Sequence, residues 1–152
     1  MNPPLRTEDD RQAILEAVID RTIDAICTDH APHSETEKSG SIADAMSGMI
    51  GLETALGVTL TALYHTGKLS LSEIAEKMSQ KPAEILGLPY TGITFGAAAD
   101  LCIFDPDEMW IVDPEKFYSK ARNTPFGGME LQGRVRYTVV KGEIVYQYEG
   151  GK

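Results

Sequence analysis

Three residues whose side chains can do chemistry stand close together in the first third of the chain: Asp29, His30 and His33. A carboxylate can bind a divalent metal ion and can exchange a proton with a water molecule that the ion activates. An imidazole can serve as a metal ligand or donate a hydrogen bond to an anionic substrate. The same three residue types are equally typical of a polar surface loop, so spacing alone leaves both interpretations open.

The elements that must position this segment can be predicted from the residues around it. Residues 22–27 form a short, apolar, β-branched run, which predicts a buried strand that leads into Thr28. Pro32 disfavours helix at Ala31, so the strand should pass into a loop there. In α/β barrels the catalytic residues project from the C-terminal ends of strands, and this prediction puts Asp29 at such an end.

Helices are predicted on both sides of this strand. Thr7 and Asp10 resemble a capping box at the start of a helix over residues 8–20. Leucines that recur every three or four residues predict a second helix from about 51 to 66 with an apolar core face. The polar residues 34–41 lie between these helices and predict a loop.

Further helices are predicted after Gly67, a residue type that often follows the last turn of a helix. Ser70 and Glu73 have the spacing of a capping box and predict a new helix. Pro82 suits the first turn of a third short helix, which should end near Gly87.

The hydrophobic period changes near residue 90, from a helical to a strand-like pattern. Lys141-Gly142 separates the last two apolar runs and predicts a tight β-hairpin. The predicted strands cover residues 99–104, 110–112, 134–140 and 143–148.

Composition narrows the classes of function. The net charge of −9 would repel phosphate backbones, which argues against nucleic-acid binding. No apolar run approaches the roughly 20 residues of a membrane span, and Met1 to Arg6 contain no apolar signal core. Cys27 and Cys102 form no C-x-x-C pair, which is typical of reduced thiols. We therefore expect a cytoplasmic protein that binds neither membranes nor nucleic acid.

Several ordered motifs resemble the type I dihydroorotases, which are cyclic amidohydrolases of pyrimidine biosynthesis. The resemblance covers essentially the whole chain. The motifs that carry it are Asn2 to Arg6, Thr28 to His33, Gly48 to Thr54, Ser119 to Phe126 and the hairpin between Gly133 and Tyr146.

This resemblance implies an α/β fold in two parts. Residues 1–90 would be the C-terminal part of an amidohydrolase (β/α)8 barrel, and residues 91–152 would be a small antiparallel β segment of a flanking domain. Asn123 and Phe126 are interpreted as residues that attach this β segment to the barrel. The implied reaction interconverts dihydroorotate and N-carbamoyl-L-aspartate at a two-metal centre that usually contains zinc.

The resemblance also implies roles for individual residues. Asp29 corresponds to a metal ligand that acts as the general acid and base. His33 corresponds to the histidine that contacts the substrate carboxylate, and Asn2 to the asparagine that binds the substrate ring. The loop Met46-Ser47-Gly48 corresponds to a loop that contacts substrate partly through its backbone, although many family members have Pro-Phe in place of Met46-Ser47. His30 is interpreted as a structural residue.

The chain is predicted to hold only part of an active site. Its three histidines do not form the H-x-H pair of the family pattern, and 152 residues fall short of the roughly 250 in a complete barrel. We therefore expect the isolated chain to be inactive, and to self-associate through strand edges and apolar surface left open.

Two other functions stay open. The first is an allantoinase or hydantoinase, which would share the barrel and much of the metal site. The second is a non-catalytic dihydroorotase-like subunit that scaffolds aspartate transcarbamoylase. The retention of Asp29 argues against the scaffold.

Overall fold

The computed structural model describes residues 1–90 and 92–150. Contacts between Cα atoms group the chain into two compact units, each built from two separate stretches. The first unit contains Met1–Ala55 and Ile111–Glu130, and the second contains Leu56–Trp110 and the chain from Leu131 onward. The assignment of residues 1–90 to a barrel and residues 91–152 to a flanking domain stays a prediction.

The first unit begins with helix α1, Glu8–Ile19, as its capping box predicted. Thr7 Oγ1 accepts a hydrogen bond from the Asp10 amide at 3.3 Å, and Asp10 Oδ2 accepts one from the Thr7 amide at 3.1 Å. These two bonds satisfy amide groups that the first turn of a helix leaves without intrahelical partners.

The strand predicted over residues 22–27 is wrong. Within the described residues this segment forms no ladder, and Cys27 is exposed. Just after this segment, the backbone forms one isolated parallel β-bridge between His30 and Met49. In this bridge the Ala31 amide donates to Met49 O at 2.9 Å. A short apolar run becomes a strand only where neighbouring strands supply hydrogen bonds, and the described chain supplies this single bridge.

The loop predicted over residues 34–41 contains a short helix, α2, Glu35–Lys38. Ser34 and Glu37 form a capping box of the same kind as the one before α1. The prediction overlooked this S-x-x-E signature because the segment has no apolar face.

The helix predicted from about 51 to 66 is shorter than expected. Helix α3, Ala55–Thr59, continues as a π-helical turn over Leu60–Tyr64. Leu60 is fully buried, whereas Leu52 precedes the helix and is 63% exposed, so the predicted leucine stripe is only partly core. Gly67 ends this segment with φ +69, as its position predicted.

The next helical segment confirms the capping box of Ser70 and Glu73. Helix α4, Leu71–Ala75, a π-helical turn, Glu76–Gln80, and helix α5, Lys81–Ile85, follow one another without a break. Pro82 lies in the first turn of α5, as predicted. Within the described residues, no helix is long and apolar enough to cross a membrane.

We expect Ser70→Ala to lower the free energy of unfolding by about 0.5–2 kcal/mol, because it removes the acceptor for the Glu73 amide. Ser72→Ala is the matched control, since Ser72 is an exposed position inside α4 where alanine is the better helix former. Urea unfolding measures both changes. Equal stability of the two variants would contradict the capping role.

A three-stranded sheet contains β1, Leu101–Ile111, β2, Glu130–Val140, and β3, Glu143–Gln147, in the order β1-β2-β3. Strand β1 replaces the two separate runs that were predicted, because Asp105 and Pro106 do not interrupt it. An edge strand tolerates proline, since the amide that proline lacks would face away from the ladder.

The predicted hairpin is confirmed. Strands β2 and β3 pair antiparallel, with Val140 opposite Glu143, and the turn residues Lys141 and Gly142 both have positive φ, 52° and 84°. Positive φ at both central residues is the requirement of a type I′ turn, whose twist matches the twist of the strands.

The core of the second unit includes a close approach between β2 and the π-helical turn. A Cβ atom on Gly133, which has φ +100, would lie 2.3 Å from Leu60 Cδ1. On the same glycine, the carbonyl oxygen accepts a hydrogen bond from Trp110 Nε1 at 3.0 Å. Only glycine fits this position, both for its backbone conformation and for the space available.

Candidate active site

Asp29 has an unusual backbone conformation, with φ +46. Left-handed φ is uncommon outside glycine and costs of order 1–2 kcal/mol, although aspartate tolerates it better than most residues. The side chain is exposed and makes no hydrogen bond or ion pair within the described residues. Its carboxylate is therefore free to meet a ligand, and its role as a metal ligand stays a prediction.

His30, next to Asp29, faces a neighbouring loop. Its Nδ1 accepts hydrogen bonds from the amides of Gly51, at 3.1 Å, and Leu52, at 3.4 Å. An imidazole nitrogen that accepts amide bonds carries no proton and has no lone pair left for a metal ion. These contacts support the structural role predicted for His30, in which it connects the segment of Asp29 to the start of the Gly51-Leu52 turn.

His33 lies against the predicted substrate loop. Its Nε2 is 2.9 Å from Ser47 O, so the ring donates a proton to that carbonyl. Its Nδ1 is 3.9 Å from Glu37 Oε2, and the side chain is only 16% exposed. The structure thus brings His33 and Ser47 together through a hydrogen bond that the sequence did not predict, and their contacts with substrate stay a prediction.

Two further side chains hold the same loop. Lys38 Nζ donates to Met46 O at 2.7 Å and to Gly48 O at 2.9 Å. Asn123 Nδ2 donates to Gly48 O at 3.1 Å and to Ala31 O at 3.2 Å. The carbonyl groups of all three loop residues therefore have protein donors.

Gly48 must be glycine for this loop to form. Its φ is +127, and a Cβ atom there would lie 2.6 Å from Ala31 Cβ and 3.2 Å from His33 Nε2. Since any side chain would collide with the segment after Asp29, the residue type at position 48 sets how closely the two segments approach.

No role was predicted for Lys38, whereas Asn123 was predicted to attach residues 91–152 to residues 1–90. Its side chain does bind that earlier part of the chain, through the carbonyls of Ala31 and Gly48. A side chain that binds backbone carbonyls leaves no spacing signature. The one sequence feature that could have drawn attention to Lys38 is its place as the basic residue in the last turn of α2.

Glu53 also positions a distant segment of the first unit. Its two carboxylate oxygens accept hydrogen bonds from the amides of Tyr118, at 2.9 Å, and Ser119, at 3.0 Å. Both hydrogen bonds are exposed to solvent. Asn2, by contrast, is exposed, and its side chain makes no hydrogen bond within the described residues.

The donor set for a metal ion is small. Within residues 1–90 and 92–150, no three His, Cys, Asp or Glu side chains form a group that could hold one. Asp29 offers a single carboxylate, and His30 Nδ1 and His33 Nε2 are bound to the backbone, which leaves one ring nitrogen on each histidine. Because no three such side chains come together among the described residues, a closed coordination shell needs further ligands.

We expect α2 to loosen in acid. Hydrogen bonds from the amide and hydroxyl of Ser34 hold the pKa of Glu37 below its ordinary value of 4.5. Because the pKa of Glu37 is lower in the folded state, the stabilisation that its carboxylate provides is complete above pH 4.5. It is lost as the pH falls from there through the folded-state pKa. An NMR titration of the Ser34 amide should follow this loss. Glu37→Gln keeps the capping bonds without a titrating group, so its Ser34 amide should stay constant, and a transition in that variant would contradict the assignment.

Comparison with known proteins matches residues 2–145 to the model of the amidohydrolase family. A protein of Clostridioides difficile named dihydroorotase is 51% identical over 96% of this chain, which corresponds to 34% of that protein. A dihydroorotase of Anaplasma phagocytophilum is 48% identical over 98% of this chain and 33% of its own length.

Solved structures with the same fold include an L-hydantoinase (dihydropyrimidinase) from Arthrobacter aurescens. It is 33% identical, with a TM-score of 0.88, and the match covers 95% of this chain and 33% of that protein. The chain spans about a third of the length of the relatives and structures that it matches.

Proposed function

This chain belongs to the amidohydrolase family, and from that premise we propose that it is the C-terminal part of a dihydroorotase. The observation that carries the proposal is the 51% identity to a dihydroorotase over 96% of the chain, against 33% identity to the L-hydantoinase. The proposed reaction is the reversible hydrolysis of the ring amide of dihydroorotate to N-carbamoyl-L-aspartate. Residues 1–90 are proposed to complete a (β/α)8 barrel, and residues 91–152 to belong to a flanking β domain.

Asp29 is proposed as the residue that carries the chemistry. Zinc ions, bound partly by its carboxylate and partly by ligands outside this chain, would polarise the ring amide carbonyl. The Asp29 carboxylate itself would take a proton from the water that attacks the carbonyl carbon and give it to the ring nitrogen as the C–N bond breaks. The exposed, unpartnered carboxylate and its left-handed backbone support this assignment.

His33, Asn2 and the loop Met46-Ser47-Gly48 are proposed to bind the substrate. In the structure His33 Nε2 donates to Ser47 O, which leaves Nδ1 for a substrate carboxylate. The Glu37 carboxylate lies 3.9 Å from Nδ1. Self-association, a cytoplasmic location and a link to aspartate transcarbamoylase stay predictions.

A hydantoinase-type activity is the second candidate, because the L-hydantoinase shares the fold of this chain and is 33% identical to it over the matched region. The deciding experiment measures hydrolysis of dihydroorotate, hydantoin and allantoin by the full-length protein that contains this chain. We expect the highest kcat/KM for dihydroorotate. A preference for hydantoin or allantoin, or no turnover of any of the three, would overturn the proposed function.

A further inference from the structure

Lys38 is a half-buried ammonium group whose hydrogen bonds all go to carbonyl oxygens. Its Nζ lies 2.7 Å from Met46 O and 2.9 Å from Gly48 O. Among the described residues, no carboxylate lies within 4.0 Å of it. The ammonium therefore forms no direct ion pair among the described residues, and partial burial of the residue weakens the screening that water would otherwise provide.

The carbonyl bonds also fix which way the loop amides point. In a trans peptide the N–H of one residue points opposite to the C=O of the residue before it. The bond from Lys38 to Met46 O therefore directs the Ser47 N–H away from the ammonium, and the bond from His33 to Ser47 O directs the Gly48 N–H away from the imidazole. Neither amide has a hydrogen-bond partner within the part of the chain that the structure describes.

Two adjacent amides without partners, in a loop whose carbonyl groups bind a lysine ammonium on the opposite side, form an environment that favours an anion. The side chains that create it, Lys38 and His33, lie behind the loop and hold it through its carbonyl groups. The positive φ of Gly48 lets the loop turn there without a side chain that would block access.

We propose that Lys38 is a positioning residue, which orients the amides of Ser47 and Gly48 and adds positive charge so that this loop recognises the anionic group of the substrate. The inference rests on the proposed function, because it takes the carboxylate of dihydroorotate as the anion. It goes further in naming the residue that makes the loop selective for anionic over neutral rings.

The test uses full-length protein with Lys38→Met, which keeps the length of the side chain and removes the charge and the donors. KM for dihydroorotate should rise about 10–100-fold, the loss expected for charged hydrogen bonds, while kcat changes less. The inhibition constant of dihydrouracil, the same ring without the carboxylate, should change by less than about threefold. Lys120→Met is the matched control, since Lys120 is an exposed lysine of the same unit without a partner among the described residues.

Amide hydrogen exchange of residues 46–49 gives a readout that needs no substrate. Exchange there should rise in Lys38→Met, stay normal in Lys120→Met, and return toward normal in Lys38→Arg, which restores the charge and can donate to two carbonyls. Equal weakening of dihydroorotate and dihydrouracil binding, or unchanged exchange of the loop in Lys38→Met, would overturn the proposal. If the unaltered protein prefers a neutral ring, the proposed function fails, and the exchange data still decide whether Lys38 orders the loop.

Discussion

Asp29→Asn in the full-length protein is expected to lower kcat by a factor of at least about 10²–10⁴, the range typical of general acid–base catalysis. Asparagine keeps the shape of the side chain and tolerates the left-handed backbone found at this position. It removes the basicity of the carboxylate and weakens its affinity for a metal ion, so bound metal should fall as well.

Two comparisons make this result specific. Asp24→Asn changes an exposed carboxylate of the same segment that has no partner within the described residues, and it should leave kcat unchanged. His33→Ala should raise KM strongly and keep the metal, because His33 faces the substrate loop and its Nε2 is bound to Ser47 O. Near-normal kcat in Asp29→Asn, or loss of metal in His33→Ala, would contradict the division of roles proposed here.

Gly133→Ala should lower the free energy of unfolding by roughly 2–5 kcal/mol. The backbone strain of a non-glycine residue at φ +100 contributes about 1–2 kcal/mol, and overpacking contributes about 1–3 kcal/mol. The overpacking arises because the new Cβ would lie 2.3 Å from Leu60 Cδ1, in a position where Leu60 is fully buried.

A double-mutant cycle separates these two contributions. Leu60→Ala alone should cost about 2–5 kcal/mol through the cavity it leaves. The Gly133→Ala, Leu60→Ala double variant should lose about 1–3 kcal/mol less than the sum of the single changes, because the colliding methyl group is gone. Gly142→Ala is the control for strain alone, since Gly142 has φ +84 and a Cβ atom added there would meet no other atom within 4 Å. Strict additivity in urea unfolding would refute the packing explanation.

The features that could be predicted from sequence depend on residues a few positions apart. Capping boxes at Thr7 and Ser70 and the turn at Lys141-Gly142 are complete within four residues, and each is present. The predicted strand over residues 22–27 depended on partners far away in sequence, and the described chain provides only the bridge between His30 and Met49.

The same contrast holds for the candidate site. Asp29 and His33 could be recognised because their residue types and spacing match a motif, and the structure places His33 on Ser47. Lys38 could not, because it acts on backbone carbonyls that every residue possesses, and for Asn123 the motif indicated an attachment role but not the carbonyls that it binds. Their function depends on the path of the chain between positions 31 and 48, which no local pattern specifies.

The interleaving of the two compact units limits how this protein can be divided or recombined. The chain leaves the first unit after Ala55, returns at Ile111 and leaves again after Glu130. No single cut separates the units, and a crossover at residue 90 would split the second unit internally. Exchange of a whole unit between related genes would therefore need several simultaneous breakpoints. We expect functional chimaeras to arise by substitution of residues within a unit, and not by exchange of one contiguous segment.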